Sequence, residues 1–161
     1  MSTEKDLKTY VPQTGRVEWI GISEARLSTI QPKDQVAVEV GHGIVGDHHA
    51  QGDHSKRQVT LIQHEHLPSI GALLGREPID PKLLRRNVVV SGINLIALKD
   101  RKFSIGDVVL EGTGPCAPCS RMEMNLGDGG YAAMRGHGGI CAIVHQAGTV
   151  RVGDAVRVLE D

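Results

Sequence analysis

The chain has 161 residues, of which 40% are apolar and 23% charged, and its formal net charge is −1. That length favours one domain with a core large enough to need neither disulfides nor a structural metal, and the near-zero charge gives no broad pull towards nucleic acid or an anionic membrane. Aromatic residues make up 2% of the chain, too few for the stacking platforms that hold single-stranded nucleic acid.

Residues 1–14 read as a poorly ordered lead-in, polar and without the apolar stretch of a signal peptide. VEWIGIS (17–23) is a short β-rich run, and QVAVEVG (35–41) alternates Val36, Val38 and Val40 with Ala37 and Glu39, the pattern of a half-buried strand. HGIVGDHHAQGDHSK (42–56) has glycines, histidines and aspartates but no periodicity, so it reads as a loop. RQVTLIQ (57–63) is a further strand. HEHLPSIGALLG (64–75) predicts a short helix, with Pro68 in its first turn and Gly75 at its end. DPKLLRR (80–86) predicts one helical turn capped by Asp80, and NVVVSG (87–92) is a strand of β-branched residues. INLIALKDRKFSIGD continues as loop and short strand.

IGDVVLEG (105–112) and VGDAVRVLED (152–161) both place Gly-Asp before an alternating apolar run, a turn feeding a strand. Between them, residues 120–138 read as a helical turn followed by a Gly-rich loop, and GGICAIVHQAG (138–148) as another strand. Many short strands separated by glycine turns, with little helix, predict a mainly β fold: a barrel or sandwich with short helices flanking it.

The candidate chemistry starts at TGPCAPCSRME (113–123), which holds two of the three cysteines. An odd cysteine count and the absence of a leader point to a reducing, cytoplasmic compartment. A thioredoxin-like pair needs a βαβ setting around the motif, and a zinc knuckle needs a second pair of ligands; neither is evident. Cys141 lies in an apolar run and reads as a small core residue. The remaining reading is a loop stiffened by Pro115 and Pro118 that holds one thiolate, with Arg121 favouring its ionised form. His42, His48, His49 and His54, with Asp47 and Asp53, lie within thirteen residues; a metal site, a pocket lining and a solvated turn all remain open for them. His64 and His66 read as surface residues. Lys56–Arg57 and Arg85–Arg86 each lie just before a strand, where forked donors could converge on a phosphate or pyrophosphate.

GIVGDHH (43–49), KRQVTLI (56–62), LLRRNVVVSGINL (83–95), FSIGDVVLEGTGPCAPCSRME (103–123), GHGGICAIVHQAG (136–148) and VRVGDAVRVL (150–159), in that order and spacing, resemble the MOSC domain, the module named for the C-terminus of molybdenum-cofactor sulfurases. The resemblance covers residues 15–161, nearly the whole chain. It implies a β-rich, barrel-like architecture of the pyruvate-kinase type and binding of the pterin-based molybdenum cofactor. It places the protein's molybdenum ligand at Cys119 rather than Cys116. Cofactor contacts fall on Arg57, Gln58, Arg85, Arg86 and Asn87, and Asp47 and His48 match the family's Gly-Asp loop. The resemblance implies either reduction of N-hydroxylated compounds or carriage of sulfur as a persulfide. No pyridoxal-dependent, iron–sulfur or flavin module is evident, so an external electron donor or a sulfur-transfer protein is the expected partner, with no nucleic acid and no membrane. In the enzyme reading, His48 or Asp47 supplies a proton.

Overall fold

Short runs rich in Val and Ile become strands when both ends turn and at least one face is buried. The computed structural model describes residues 6–25, 28–48 and 55–160, and each run read as a strand is one. Strand β1 (Gly15–Ile22) is followed by β2 (Gln31–Lys33), β3 (Gln35–Glu39), β4 (Gly43–Ile44) and β5 (Val59–Gln63). Helix α1 (His66–Leu73) links β5 to β6 (Val88–Ser91), and β7 (Lys102–Ile105) leads to β8 (Val108–Pro115). Two short helices, α2 (Ser120–Leu126) and α3 (Gly130–Met134), precede β9 (Ile140–Gln146), β10 (Gly148–Arg151) and β11 (Ala155–Val158).

Seven strands close a barrel in the order β11, β7, β8, β9, β5, β6, β1, and β1 returns to β11 through Gly15 opposite Val156 and Arg16 opposite Ala155. Closure removes the unpaired edges that an open sheet exposes. β2 continues from β1, while β10, β3 and β4 make a small second sheet. β5 and β6 pair in parallel, with α1 in the crossover.

This pairing explains why the runs VTLIQ and VVVS are apolar without a break. Leu61, Val88 and Val90 point into the barrel core with Phe103, Leu110 and Val156. Ile62 and Val89 face the other way, into a second cluster with Leu67, Ile70, Met122, Leu126 and Met134 from the helices. Strands covered on both faces lose the alternating pattern. β3, covered on one face, keeps it: Val36 and Val38 are buried, but the strand ends at Glu39 and Val40, the third of the expected series, is exposed where the chain turns.

The local signals act as expected at several boundaries. Pro68 lies in the first turn of α1, where its missing amide costs nothing. Asp80 accepts a hydrogen bond from the Lys82 amide at the start of the 3₁₀ turn Pro81–Leu83. Both Gly-Asp turns precede a strand, with φ of 56° at Gly106 and 96° at Gly153. One expectation fails: the Gly-rich stretch after α2 is not all loop. Glu123 accepts hydrogen bonds from the Gly129 and Tyr131 amides at 2.9 Å each, satisfying backbone donors at the start of α3. Among the described residues no helix is long and apolar enough to cross a membrane.

Candidate functional site

β8 delivers the cysteine segment. The strand outruns the segment IGDVVLEG: it bulges after Gly112 and continues to Pro115, which pairs with Ile140 of β9. Proline lacks a ladder donor, so it sits where the strand ends. The next amide, Cys116, donates to the Gly139 carbonyl at 2.8 Å. Cys119 then occupies the position before α2, with extended backbone, and its carbonyl accepts from the Met122 amide at 2.9 Å. The two cysteines of the motif therefore differ: Cys116 is buried and Cys119 exposed.

Arg86 holds this segment in place. Its side chain is 2% exposed, and its donors all go to backbone carbonyls. Nε reaches Gly138 at 2.8 Å, Nη1 reaches Leu84 at 3.1 Å, and Nη2 reaches Cys116 at 3.4 Å and Ala117 at 3.3 Å. A planar fork of donors is suited to several fixed carbonyls at once. Burial lowers its pKa from the usual arginine value, while the neighbouring thiols oppose that shift. Those thiols are Cys116, Cys141 and Cys119, in that order of influence.

Cys141 is thus not a core residue. It lies on the outer face of β9, half-buried, while Ile140, Ala142 and Val144 point into the barrel. It lines a recess of about 210 Å³ with Lys56, Arg57, Thr113, Gly114 and Pro115. Cys116 lies diagonally across the β8–β9 ladder from it. That neighbouring thiol, with the Arg86 and Arg57 charges and against the cost of burial, lowers the Cys116 thiol to about 6. The same pairing raises Cys141.

Arg85 and Arg121 meet elsewhere. They line a second cleft, about 390 Å³, with Ser28, Thr29, Ile30, Asp80, Lys82, Leu83 and Asn125. Arg85 has a left-handed backbone, φ 54°, unusual for a residue with a side chain. Its guanidinium binds the Ser28 carbonyl at 3.1 Å and the Ser23 hydroxyl at 3.3 Å. Ser23 in turn donates its amide to Asp47 Oδ1 at 2.8 Å and accepts from the His48 amide at 2.6 Å. Arg85, Ser23, Asp47 and His48 are therefore one connected group. The structure does not bring Arg57 and Arg85 into one pocket: they line separate recesses.

Two further candidates are committed to the frame. Gln58 is buried, donates to the Ser55 carbonyl at 3.2 Å and accepts from the Val144 amide at 2.9 Å. Asn87 is buried too; its Oδ1 accepts from the Thr60 amide and hydroxyl at 3.1 Å each, and its Nδ2 donates to the Gly21 carbonyl at 3.2 Å. These bonds clip β5 and β1 together at the start of β6, beside Arg85 and Arg86. His49, Asp53 and His54 lie outside the described residues. Among the described residues no three histidine, cysteine or acidic side chains gather as a metal cage. His66 is half-buried rather than fully solvated: it packs edge-on against His137, with ring centroids 5.0 Å apart, and its Nδ1 is buried without a hydrogen-bond partner among the described residues.

Solved structures share this architecture. The YuaD protein from Bacillus subtilis superposes with a TM-score of 0.80 at 23% identity, covering 92% of this chain and 98% of its own. YiiM from Geobacillus stearothermophilus gives 0.73 at 17% identity, covering 91% of this chain and 75% of its own, and YiiM from Escherichia coli gives 0.69 at 14%, covering 91% and 70%. No curated protein matches the sequence. At these identities the superpositions establish the fold alone. The sequence itself carries the family: residues 45–157, from the Asp47–His48 loop through the cysteine segment to β11, match the MOSC domain model, and the chain belongs to the MOSC domain family.

Proposed function

We propose that this chain binds the molybdenum cofactor and reduces N-hydroxylated compounds, with Cys119 as the protein's ligand to molybdenum and an external protein as electron donor. The observation that carries the reading is the exposed Cys119 thiol at the start of α2, the helix whose Arg121 and Asn125 line the basic cleft.

The residues present fit the group. A thiolate is a soft ligand suited to such a metal, and Cys119, unlike Cys116, is open to solvent. The cleft offers Lys82, Arg85 and Arg121 for a phosphate and Asn125 for polar edges of a pterin. The cofactor, when bound, supplies the two-electron transfer that removes oxygen from an N–OH group. The protein's part is binding, orientation and protons. Arg86 fixes the carbonyls of Cys116 and Ala117 and so sets the path of the chain towards Cys119. Arg57 presents a cation at the neighbouring recess, and Gln58 and Asn87 hold the strands that carry these arginines. Asp47, bound to the Ser23 amide, holds the loop on which His48 supplies a proton to the departing oxygen.

Turnover of an N-hydroxylated purine by cofactor-loaded protein, driven by an artificial electron donor, tests the enzyme reading; loaded protein that fails to turn over such compounds contradicts it. A second reading is favoured by the same exposure: Cys119 carrying a persulfide to a partner. Cys116, the resolving thiol in that scheme, is buried and lies diagonal to Cys141 instead. Persulfide on Cys119, detected by mass spectrometry in protein without molybdenum, would select the carrier.

A further inference from the structure

Gly114 stands opposite Cys141 in the β8–β9 ladder, and two residues on, the Cys116 amide binds the Gly139 carbonyl. Both positions facing the cysteines are glycines, so no facing side chain stands between them, and Cys116 and Cys141 are diagonal neighbours across the ladder. Arg86 lies beside them on the protein side, and Arg57 stands at the recess that Cys141 lines. Cys119 is outside this pair. A buried thiol diagonal to a second thiol, with one guanidinium bound to its own carbonyl and another at the adjoining recess, is a reactive arrangement, and nothing in the molybdenum reading uses it.

We propose that Cys116 and Cys141 form a dithiol that hydrogen peroxide, entering through the recess lined by Lys56, Arg57 and Cys141, converts to a disulfide. The Cys116 thiolate attacks one peroxide oxygen; the S–O bond forms as the O–O bond breaks. The departing hydroxide takes the proton of the Cys141 thiol and leaves as water. The Cys141 thiolate then attacks the Cys116 sulfur, the S–S bond forms, the S–O bond breaks, and the second hydroxide takes a proton from solvent. The two sulfurs lose two electrons in total, one peroxide accepts them, and two waters result. The disulfide joins the end of β8 to β9 and leaves Cys119 free.

The experiment is peptide mapping of the wild-type chain after treatment with hydrogen peroxide and alkylation of the remaining thiols. Trypsin separates residues 103–121, which hold Cys116 and Cys119, from residues 136–151, which hold Cys141. The expected product is a cross-link between these two peptides with Cys119 alkylated, and a fall in free thiols from three to one. Cys119→Ser forms the same cross-link at the wild-type rate. A loop disulfide between Cys116 and Cys119, or oxidation confined to Cys119, would overturn the proposal. Both outcomes are read on protein without cofactor, so they do not depend on the molybdenum reading.

Discussion

Arg86 donates from Nε to the carbonyl of Gly138 at 2.8 Å, and so ties the start of β6 to the turn that precedes β9. The same guanidinium holds Leu84, Cys116 and Ala117. Replacing it with Met fills much of the volume but leaves these buried carbonyls without donors. Each unsatisfied buried group costs about 1–3 kcal/mol, and some of the carbonyls will find other partners. Arg86→Met is therefore expected to lose roughly 3–5 kcal/mol in denaturant unfolding. A loss below about 1 kcal/mol would show that the clamp is not structural.

Gly139 offers a test of close approach. It has φ 83°, and an added Cβ would strike the Leu61 carbonyl on β5. Gly75 has a similar φ, 69°, but open space around it. Gly75→Ala is expected to cost about 1–2 kcal/mol, the left-handed penalty alone. Gly139→Ala adds a backbone collision beside the Cys116 amide bond and should cost well above that, about 3 kcal/mol or more. Equal losses in thermal or chemical unfolding would mean that β5 and this turn can separate freely.

Arg85 separates folding from binding. Glycine in its place relieves the left-handed backbone at φ 54° but loses the bonds to Ser23 and Ser28. These effects oppose one another, so stability should stay within about 1 kcal/mol of wild type. The cleft, however, loses a cation, and protein purified with cofactor should retain less of it. Wild-type retention by Arg85→Gly would remove this residue from the cofactor site.

His66 supplies a pH dependence. Burial lowers its pKa below the ordinary 6.5, helped by nearby His137 and opposed by Glu65. A depressed folded-state pKa means that the unfolded chain binds the proton first as pH falls. The folded state thus loses stability below about pH 6.5. Leu at this position removes both the titration and the unpaired buried Nδ1. The gap in unfolding midpoint between His66→Leu and wild type should shift in favour of the variant as pH falls from about 7 to 5. Parallel profiles would contradict it.

The barrel was legible because strand periodicity and glycine turns are local signals; Val88–Ser91 and Ala155–Val158 needed no knowledge of their partners. The short strands β2, β4 and β10 were not, since so few residues carry no period of their own, and each exists by pairing with a longer neighbour. The arginines stood out as cations at strand starts, and the family resemblance supplied their candidacy as cofactor contacts and the choice of Cys119 over Cys116. Cys141 was missed, although the alternation Ile140, Ala142, Val144 already put it on the opposite face. Its meeting with Cys116 depends on register, which a one-residue slip would abolish. Arg86 looked like a surface or phosphate-binding cation because sequence does not reveal which carbonyls a turn leaves bare.

Whether Cys119 holds molybdenum is read from the molybdenum and pterin content of wild-type protein and Cys119→Ser, both purified from a host that makes the cofactor. Cys119 is exposed, so the variant should unfold at the wild-type midpoint. Stoichiometric molybdenum and pterin are expected in the wild type, with loss of the metal in the variant. A wild type without molybdenum, or a variant that retains the wild-type content, would contradict this role for Cys119.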